Sequence, residues 1–460
     1  MPLAASSRRR FLAGAAALPL ISGTPVFARA PLGARMSARI LARVLAMSDL
    51  HSAYERSAQV LAALRAEVRS QPVPHLIALD GDIFEHGNVV SVRSQGAIDW
   101  AFLAALPAIA PTVVNLGNHD NDLTPDLHDV VARMRGLGIS VIGNIIDPRT
   151  GQPYAPAATE IALCHRRLRI VGFGTNSLNT YPKDSRDWLS IPDPTDWARA
   201  HLPPLLDGAD LTLVMSHAGV SGDRGMLSAL PDGALMIGGH NHILFQEPLG
   251  RSLYAHTGSW NNAYTAADYL SDGSVRAQSR SVALDGPADP ALAALIRTTL
   301  AQHLTAQERA ILGISPAALS LGDTGRAVAA AFARFAGAQA GFIGHTTLGT
   351  GLPAGPVSRY AFDAVVRFDG KLMAAEVPAA RLSELTALAN QDRVMPFARR
   401  TGDFVYGAVQ GAEKRDTIRI VTTDWCALNQ QEYFGVADLD FTEVPGPGVK
   451  AVAAQGLLQA

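Results

Sequence analysis

At 460 residues, with 48% hydrophobic side chains and 41 glycines, the chain is long enough for two cored domains rich in turns. Its formal net charge of −2 offers no basic field for a nucleic acid polymer or an anionic membrane surface, which leaves small molecules as the expected partners. Two cysteines, Cys164 and Cys426, fall in segments assigned to different domains; they exclude a disulfide framework and read as separate buried thiols.

Residues 1–30 read as a leader outside the fold. Ser7-Arg8-Arg9-Arg10-Phe11-Leu12 is basic, Ala13 to Leu20 is apolar, and Ala28-Arg29-Ala30 has the small-residue pattern of a cleavage site. The apolar stretch is too short to span a bilayer and no other is apolar enough, so no stable membrane anchor is expected. The paired arginines resemble a twin-arginine export signal, which implies the export machinery as a partner and a periplasmic or otherwise exported location.

Five apolar runs follow, each ending in side chains able to bind a metal or move a proton. "ILARVLAMSDLHS" ends in Asp49 and His51, and "HLIALDGD" in Asp80 and Asp82. "PTVVNLGNHD" ends in Asn118, His119 and Asp120, "LTLVMSHAG" in His217, and "GALMIGGHNH" in His240 and His242. The runs have the length and composition of buried strands, and "SAYERSAQVLAALRAEV" between the first two has helical periodicity. Strands alternating with helices predict α/β architecture with the ligand crevice at the carboxyl ends of the strands. A sixth run, "LRIVGFGTN", has no such cluster and fills the sheet, while "SLYAHTGSW" and "SVRAQSRSVALD" close the domain near Gly286. A Pro-marked linker helix occupies 287–310, and residues 311–460 form a second domain with no metal-type constellation.

Two divalent cations 3.5–4 Å apart need a bridging carboxylate to offset their repulsion. Asp82, after Gly81 at a strand end, is the expected bridge. One ion is then assigned Asp49, His51, Asp82 and His242, and the other Asp82, Asn118, His217 and His240. Mixed nitrogen and oxygen ligands suit Mn, Fe, Zn or Co. Two carboxylates among seven ligands leave a net charge of about +2, which attracts a phosphate dianion. The neutral amide of Asn118 preserves that charge, where an aspartate would reduce it. His119 is expected to face the substrate as a proton donor, with Asp122 accepting from its other ring nitrogen, and Asp120 to satisfy the turn. Helix caps and turns account for Asp and Asn at such positions but not for the histidines of "SHAG" and "GGHNH".

The blocks D-x-H, G-D, G-N-H-D, H and G-H-x-H, in this order, resemble those of calcineurin-like metallophosphoesterases. The resemblance implies an α/β (α+β) fold, with a β-sandwich flanked by helices, a dinuclear centre and attack of metal-bound hydroxide on phosphorus. It also implies the seven ligands already assigned, with His119 as catalytic histidine and Asp122 as its partner. "GFIGHTTLGTGLPAGPVSRYAFDAVVRFDGKLMAAEV" and "IRIVTTDWCALNQQEYF" are similar to the smaller α/β C-terminal domain of the 5′-nucleotidase branch. Residues 31–286 then form the catalytic domain and 311–460 the substrate domain.

Where that branch has an Asn-Gly-Gly-Ile-Arg-like segment, this chain has Gly344-His345-Thr346-Thr347-Leu348-Gly349, and "NQQEY" replaces a Gly-rich turn. His345, Tyr433 and Phe434 are therefore the candidate substrate contacts. The expected activity is hydrolysis of a nucleotide or another small phosphate ester. A thiosulfohydrolase or phosphodiesterase on the same centre, and a non-catalytic binding protein, are the alternatives.

Overall fold

The computed structural model describes residues 38–163, 165–393, 395–411 and 415–459. The leader and Cys164 lie outside these residues; Cys426 is a buried free thiol.

The strands of the first half are β1 (Ile40–Ser48), β2 (His75–Asp80), β3 (Thr112–Asn115) and β4 (Ser140–Ile142). A short hairpin of β5 (Ile146–Asp147) and β6 (Gln152–Pro153) follows. Then come β7 (Ala158–Leu163), β8 (Arg166–Gly174), β9 (Leu211–His217), β10 (Leu235–Gly238), β11 (Leu244–Leu249), β12 (Ser252–Thr257), β13 (Ala263–Leu270) and β14 (Val275–Ser281). They build two six-stranded mixed sheets, ordered β14-β13-β1-β2-β3-β4 and β11-β12-β10-β9-β8-β7. β1 to β4 are parallel neighbours, as are β8, β9, β10 and β12, so their carboxyl ends share one rim.

Period-two alternation explains why these runs lie buried on both faces. Val44, Ala46, Leu76 and Ala78 meet Leu213, Met215, Leu235 and Ile237 in the core between the sheets. The intervening Leu45, Met47, Ile77 and Leu79 turn outward beneath the helices Ser57–Ser70 and Ala97–Ala105. The outer face of the second sheet, with Val171, Val214, Met236 and Tyr254, shares a core with Val328, Phe332, Ile343 and Val421 of the C-terminal half. Residues 39–460 are one compact unit.

The C-terminal half adds β15 (Ile311–Ser315), β16 (Ala340–Gly344), β17 (Gly355–Ser358), β18 (Leu372–Pro378), β19 (Val405–Val409), β20 (Thr417–Thr423) and β21 (Thr442–Glu443). β15 pairs with β17, and the rest form a sheet ordered β19-β16-β20-β18-β21. An Ala-rich run forms the helix Leu321–Ala336, capped by Ser320 and ended by left-handed Gly337. The linker contains the helix Pro290–His303, with Asp289 as its cap and proline in its first turn.

Under the first sheet, Asp99 accepts from Tyr54 Oη (2.6 Å) and Ser91 Oγ (3.3 Å). Burial pushes its carboxyl up to about 7, against the pull of those hydroxyls. A folded-state value raised above the unfolded one means that the contribution is complete at low pH and is lost as pH rises through about 7. Asp99→Asn should therefore flatten the decline in stability between about pH 4 and pH 7, by on the order of a few kcal/mol in denaturant melts.

A candidate dinuclear metal centre at the sheet rim

The ends of β1, β2, β3, β9 and β10 deliver the predicted ligands to one point. Asp49 and His51 follow β1, Asp82 follows β2, Asn118 follows β3, His217 ends β9, and His240 and His242 follow β10. Loop-to-loop backbone bonds set their positions: Asp49 N–H donates to Gly81 O (3.1 Å), His51 N–H to Asp82 O (2.9 Å) and Trp260 N–H to Asp49 O (2.8 Å). Gly81 has φ +72°, and a Cβ there would lie 2.6 Å from Gly117 N and 2.7 Å from His217 Nδ1. Only glycine lets the three loops approach so closely.

Left-handed backbone is concentrated here. Asp49, His51, Asp82, His240 and His242 have φ of 53°, 46°, 53°, 75° and 54°. Each costs roughly 1–2 kcal/mol in a non-glycine residue, so half of the ten such residues described are strained in order to aim these five side chains inward.

Three groups of ligand-type atoms result, each lying within 4.8 Å of one another: Asp49 with His51 and His242, Asp82 with His217 and His240, and His51 with Glu85 and His119. The first two each gather residues expected at one ion, and Asp82 also faces His51. Its Oδ2 is 3.0 Å from His217 Nε2 and 3.6 Å from His51 Nε2. His119 N–H donates to Asp82 Oδ1 (2.7 Å), which aims the other oxygen into the centre.

The donor set calls for cations. His217 Nδ1 donates to Asp80 O (2.6 Å), which leaves Nε2 facing the Asp82 carboxylate at 3.0 Å, a gap that a proton or a cation must fill. His51 Nε2 and His242 Nε2 are 2.9 Å apart. Asp49 Oδ2 and His217 Nε2 are buried without a hydrogen-bond partner. Buried atoms of this kind normally have a proton or an ion between them. Burial and then the neighbouring His217 hold His240 near 3, and burial and His51 keep His242 well below the usual range. Both are thus neutral, as metal ligation requires. The residues fit two divalent ions.

The amide of Asn118 has a further reason. Its Nδ2 donates to Thr180 O (3.2 Å), turning Oδ1 toward His240 Nδ1 at 2.9 Å. A carboxylate would set an oxygen against the Thr180 carbonyl, in addition to reducing the charge of the centre. Asp120 does satisfy the turn, accepting from Ile83 N–H (2.8 Å) and Gly117 N–H (2.7 Å).

His119 Nδ1 lies 3.0 Å from Asp122 Oδ2, which also accepts from His86 N–H (2.8 Å). Burial works against a charge on His119, but Asp122 and Asp82 raise it well above the ordinary histidine value. Its side chain is 25% exposed, against 2% for His51 and 0% for His217. With His51 it lines a cavity of about 970 Å³ above the centre, and it is the more exposed of the two.

The sequence reading missed Glu85, whose Oε2 is 3.2 Å from His51 Nδ1 and whose Oε1 accepts from Gly87 N–H (2.6 Å). A carboxylate behind a ligating imidazole orients the ring and strengthens its lone pair. Glu85→Gln should weaken binding of one ion by about 10–100-fold in a calorimetric metal titration. The reading also missed Trp260, which packs on His51 with ring centroids 4.5 Å apart beneath the guanidinium of Arg367.

The three expected substrate contacts fare differently. Tyr433 lines the cavity. Phe434 is 1% exposed and packs against Phe342, away from the opening. His345 is buried and stacked on Phe404, with Nε2 2.6 Å from Asn241 O and Nδ1 3.1 Å from Phe404 O. Both of its ring nitrogens serve the backbone, so His345 ties the C-terminal half to the loop carrying His240 and His242 and does not line the cavity.

A two-sheet α/β sandwich with aspartate, asparagine and histidine gathered at the rim defines a metal-dependent hydrolase of phosphoesters. Residues 42–244 match the calcineurin-like phosphoesterase family. No curated protein matches the sequence. Among solved structures, a 5′-nucleotidase precursor from Thermus thermophilus aligns with a TM-score of 0.61 at 16% identity, over 91% of this chain and 96% of that one. The sulfate thiohydrolase SoxB from Thermus thermophilus aligns at 0.60 and 15%, over 91% and 94%. The 5′-nucleotidase from Candida albicans aligns at 0.60 and 12%, over 91% and 99%. At such identities the likeness is one of fold, and it extends across both halves of the chain.

Proposed function

We propose that this chain is an exported phosphoesterase that hydrolyses a nucleotide or another small phosphomonoester. The observation that carries the reading is the joint placement of Asp82, Asn118 and His119 at the floor of the cavity. Two divalent ions of Mn, Fe, Zn or Co, held by Asp49, His51, Asp82 and His242 and by Asp82, Asn118, His217 and His240, would supply Lewis-acid stabilisation of the phosphate and activation of water. His119, charged through its contact with Asp122, donates a proton to the leaving oxygen. Asp122 holds the ring so that Nε2 remains for that transfer. Asn118 adds a ligand without adding negative charge.

Export rests on the leader, and no helix among the described residues is long and apolar enough to cross a membrane. A reporter carrying residues 1–37 should lose export when Arg8, Arg9 and Arg10 become lysine; export unaffected by the change contradicts this part.

Phosphate release from AMP, p-nitrophenyl phosphate, cyclic nucleotides and bis-p-nitrophenyl phosphate tests the substrate class on metal-loaded protein. Monoesters should be cleaved much faster than diesters. Preference for bis-p-nitrophenyl phosphate supports a phosphodiesterase instead.

A further inference from the structure

We infer that the wall of this cavity contributed by the C-terminal half selects a phosphate ester whose alcohol carries a positively charged ammonium group. The inference rests on the phosphoesterase reading and specifies its substrate class.

At about 970 Å³ the cavity is at the upper end of the range for small-molecule sites, far more than a phosphate group fills. The wall contributed by the C-terminal half includes Phe368, Asp403, Trp425, Glu432 and Tyr433, with Asp403 reaching Asn241 on the loop that carries His240 and His242. Three aromatic rings stand there. Trp425 and Phe368 are 42% and 39% exposed, and both open to the cavity. Tyr433 is buried, with its hydroxyl held by Trp425 Nε1 (3.2 Å) and Thr346 Oγ1 (3.2 Å).

Four carboxylates stand beside these rings. Those of Asp369 and Asp424 accept backbone N–H bonds, that of Asp403 meets the Asn241 amide, and Glu432 is exposed. Among the described residues no lysine or arginine lines the cavity and none of the four forms an ion pair. The nearby imidazole of His345 is directed at Asn241 O and Phe404 O. Burial raises Asp403, and burial together with Asp403 raises Glu432, as expected of two partly desolvated acids that repel each other. Aromatic faces beside unpaired carboxylates make a recognition surface for an ammonium group, through cation–π contact and direct charge attraction. The same surface repels a second phosphate or a carboxylate. The cavity is thus polarised, with a phosphate-seeking floor and a cation-seeking wall.

Hydrolysis of such an ester adds water across the phosphorus–oxygen bond. The water oxygen joins phosphorus, the bond to the alcohol oxygen breaks, and that oxygen leaves with a proton as an amino alcohol beside inorganic phosphate.

Phosphocholine and 3,3-dimethylbutyl phosphate test this directly, because they share a shape and differ in the charge of one atom. Metal-reconstituted protein should show kcat/KM at least about ten-fold higher for phosphocholine, with p-nitrophenyl phosphate reporting general activity. In the double variant Asp403→Asn, Glu432→Gln the ratio should fall to within about two-fold. Calorimetric binding of the two esters should show the same preference and the same loss, so the result does not depend on turnover. Equal handling of the esters, failure to bind or cleave either, or a preference that persists in the double variant overturns the inference and leaves the phosphoesterase reading intact if p-nitrophenyl phosphate is cleaved. Absence of all cleavage contradicts the phosphoesterase reading, while the binding preference still decides the charge selectivity.

Discussion

Asp82→Asn should reduce bound metal from two ions per chain to one or none and lower phosphoesterase activity by at least about 10³-fold. Asparagine has nearly the same volume and tolerates the left-handed φ of 53° better than other residues, so the fold should survive the change. It cannot serve two cations, because one arm of the amide is a donor that carries partial positive charge. With Asp82 removed as a carboxylate, His217 Nε2 and His51 Nε2 no longer share an anion at 3.0 and 3.6 Å. Elemental analysis of the dialysed variant, with a thermal melt to show folding, reads the effect. Two ions retained at wild-type affinity would mean that the shared aspartate is not the bridge.

The second large effect separates chemistry from metal binding. His119→Ala should lower kcat by about 10²–10⁴-fold while both ions remain bound. The side chain reaches the cavity and touches Asp122; it groups with His51 and Glu85 but with neither set of atoms assigned to an ion. The loss should be smaller for p-nitrophenyl phosphate than for an alkyl ester, because a good leaving group needs less protonation. A uniform loss across leaving groups would make His119 a charge stabiliser and not a proton donor. Metal-loaded protein with no hydrolysis of any ester, unchanged by this substitution, would favour the binding-protein reading.

Much of this site is legible in the sequence because its information is local. Each ligand lies within a few residues of the end of an apolar run, and parallel strands in one sheet bring such ends together. The spacing in "SDLHS" and "GGHNH" sufficed to assign Asp49, His51, His240 and His242. What stayed hidden depends on tertiary contact. Glu85 stands next to His86, a second side chain able to bind a metal; only the fold shows the carboxylate turned to His51 and the imidazole turned out. β13 (Ala263–Leu270) is Ala-rich and carries Asp268, so it lacks a strand signature, yet it lies between β1 and β14 with Asp268 bound to Arg43 (2.6 Å). His345 and Phe434 were read as substrate contacts from a family position, and packing gave them to the backbone and the core. A residue's chain neighbours do not reveal which face of a distant domain it will meet.

The central claim is that seven side chains at one sheet rim hold two divalent ions joined through Asp82. Metal analysis of the purified chain, stripped by chelator and titrated back with Mn, Fe, Zn or Co, tests it most directly. Two ions per chain should bind, with phosphate release from p-nitrophenyl phosphate returning as the second is taken up. Full activity in protein carrying no divalent metal would contradict the account.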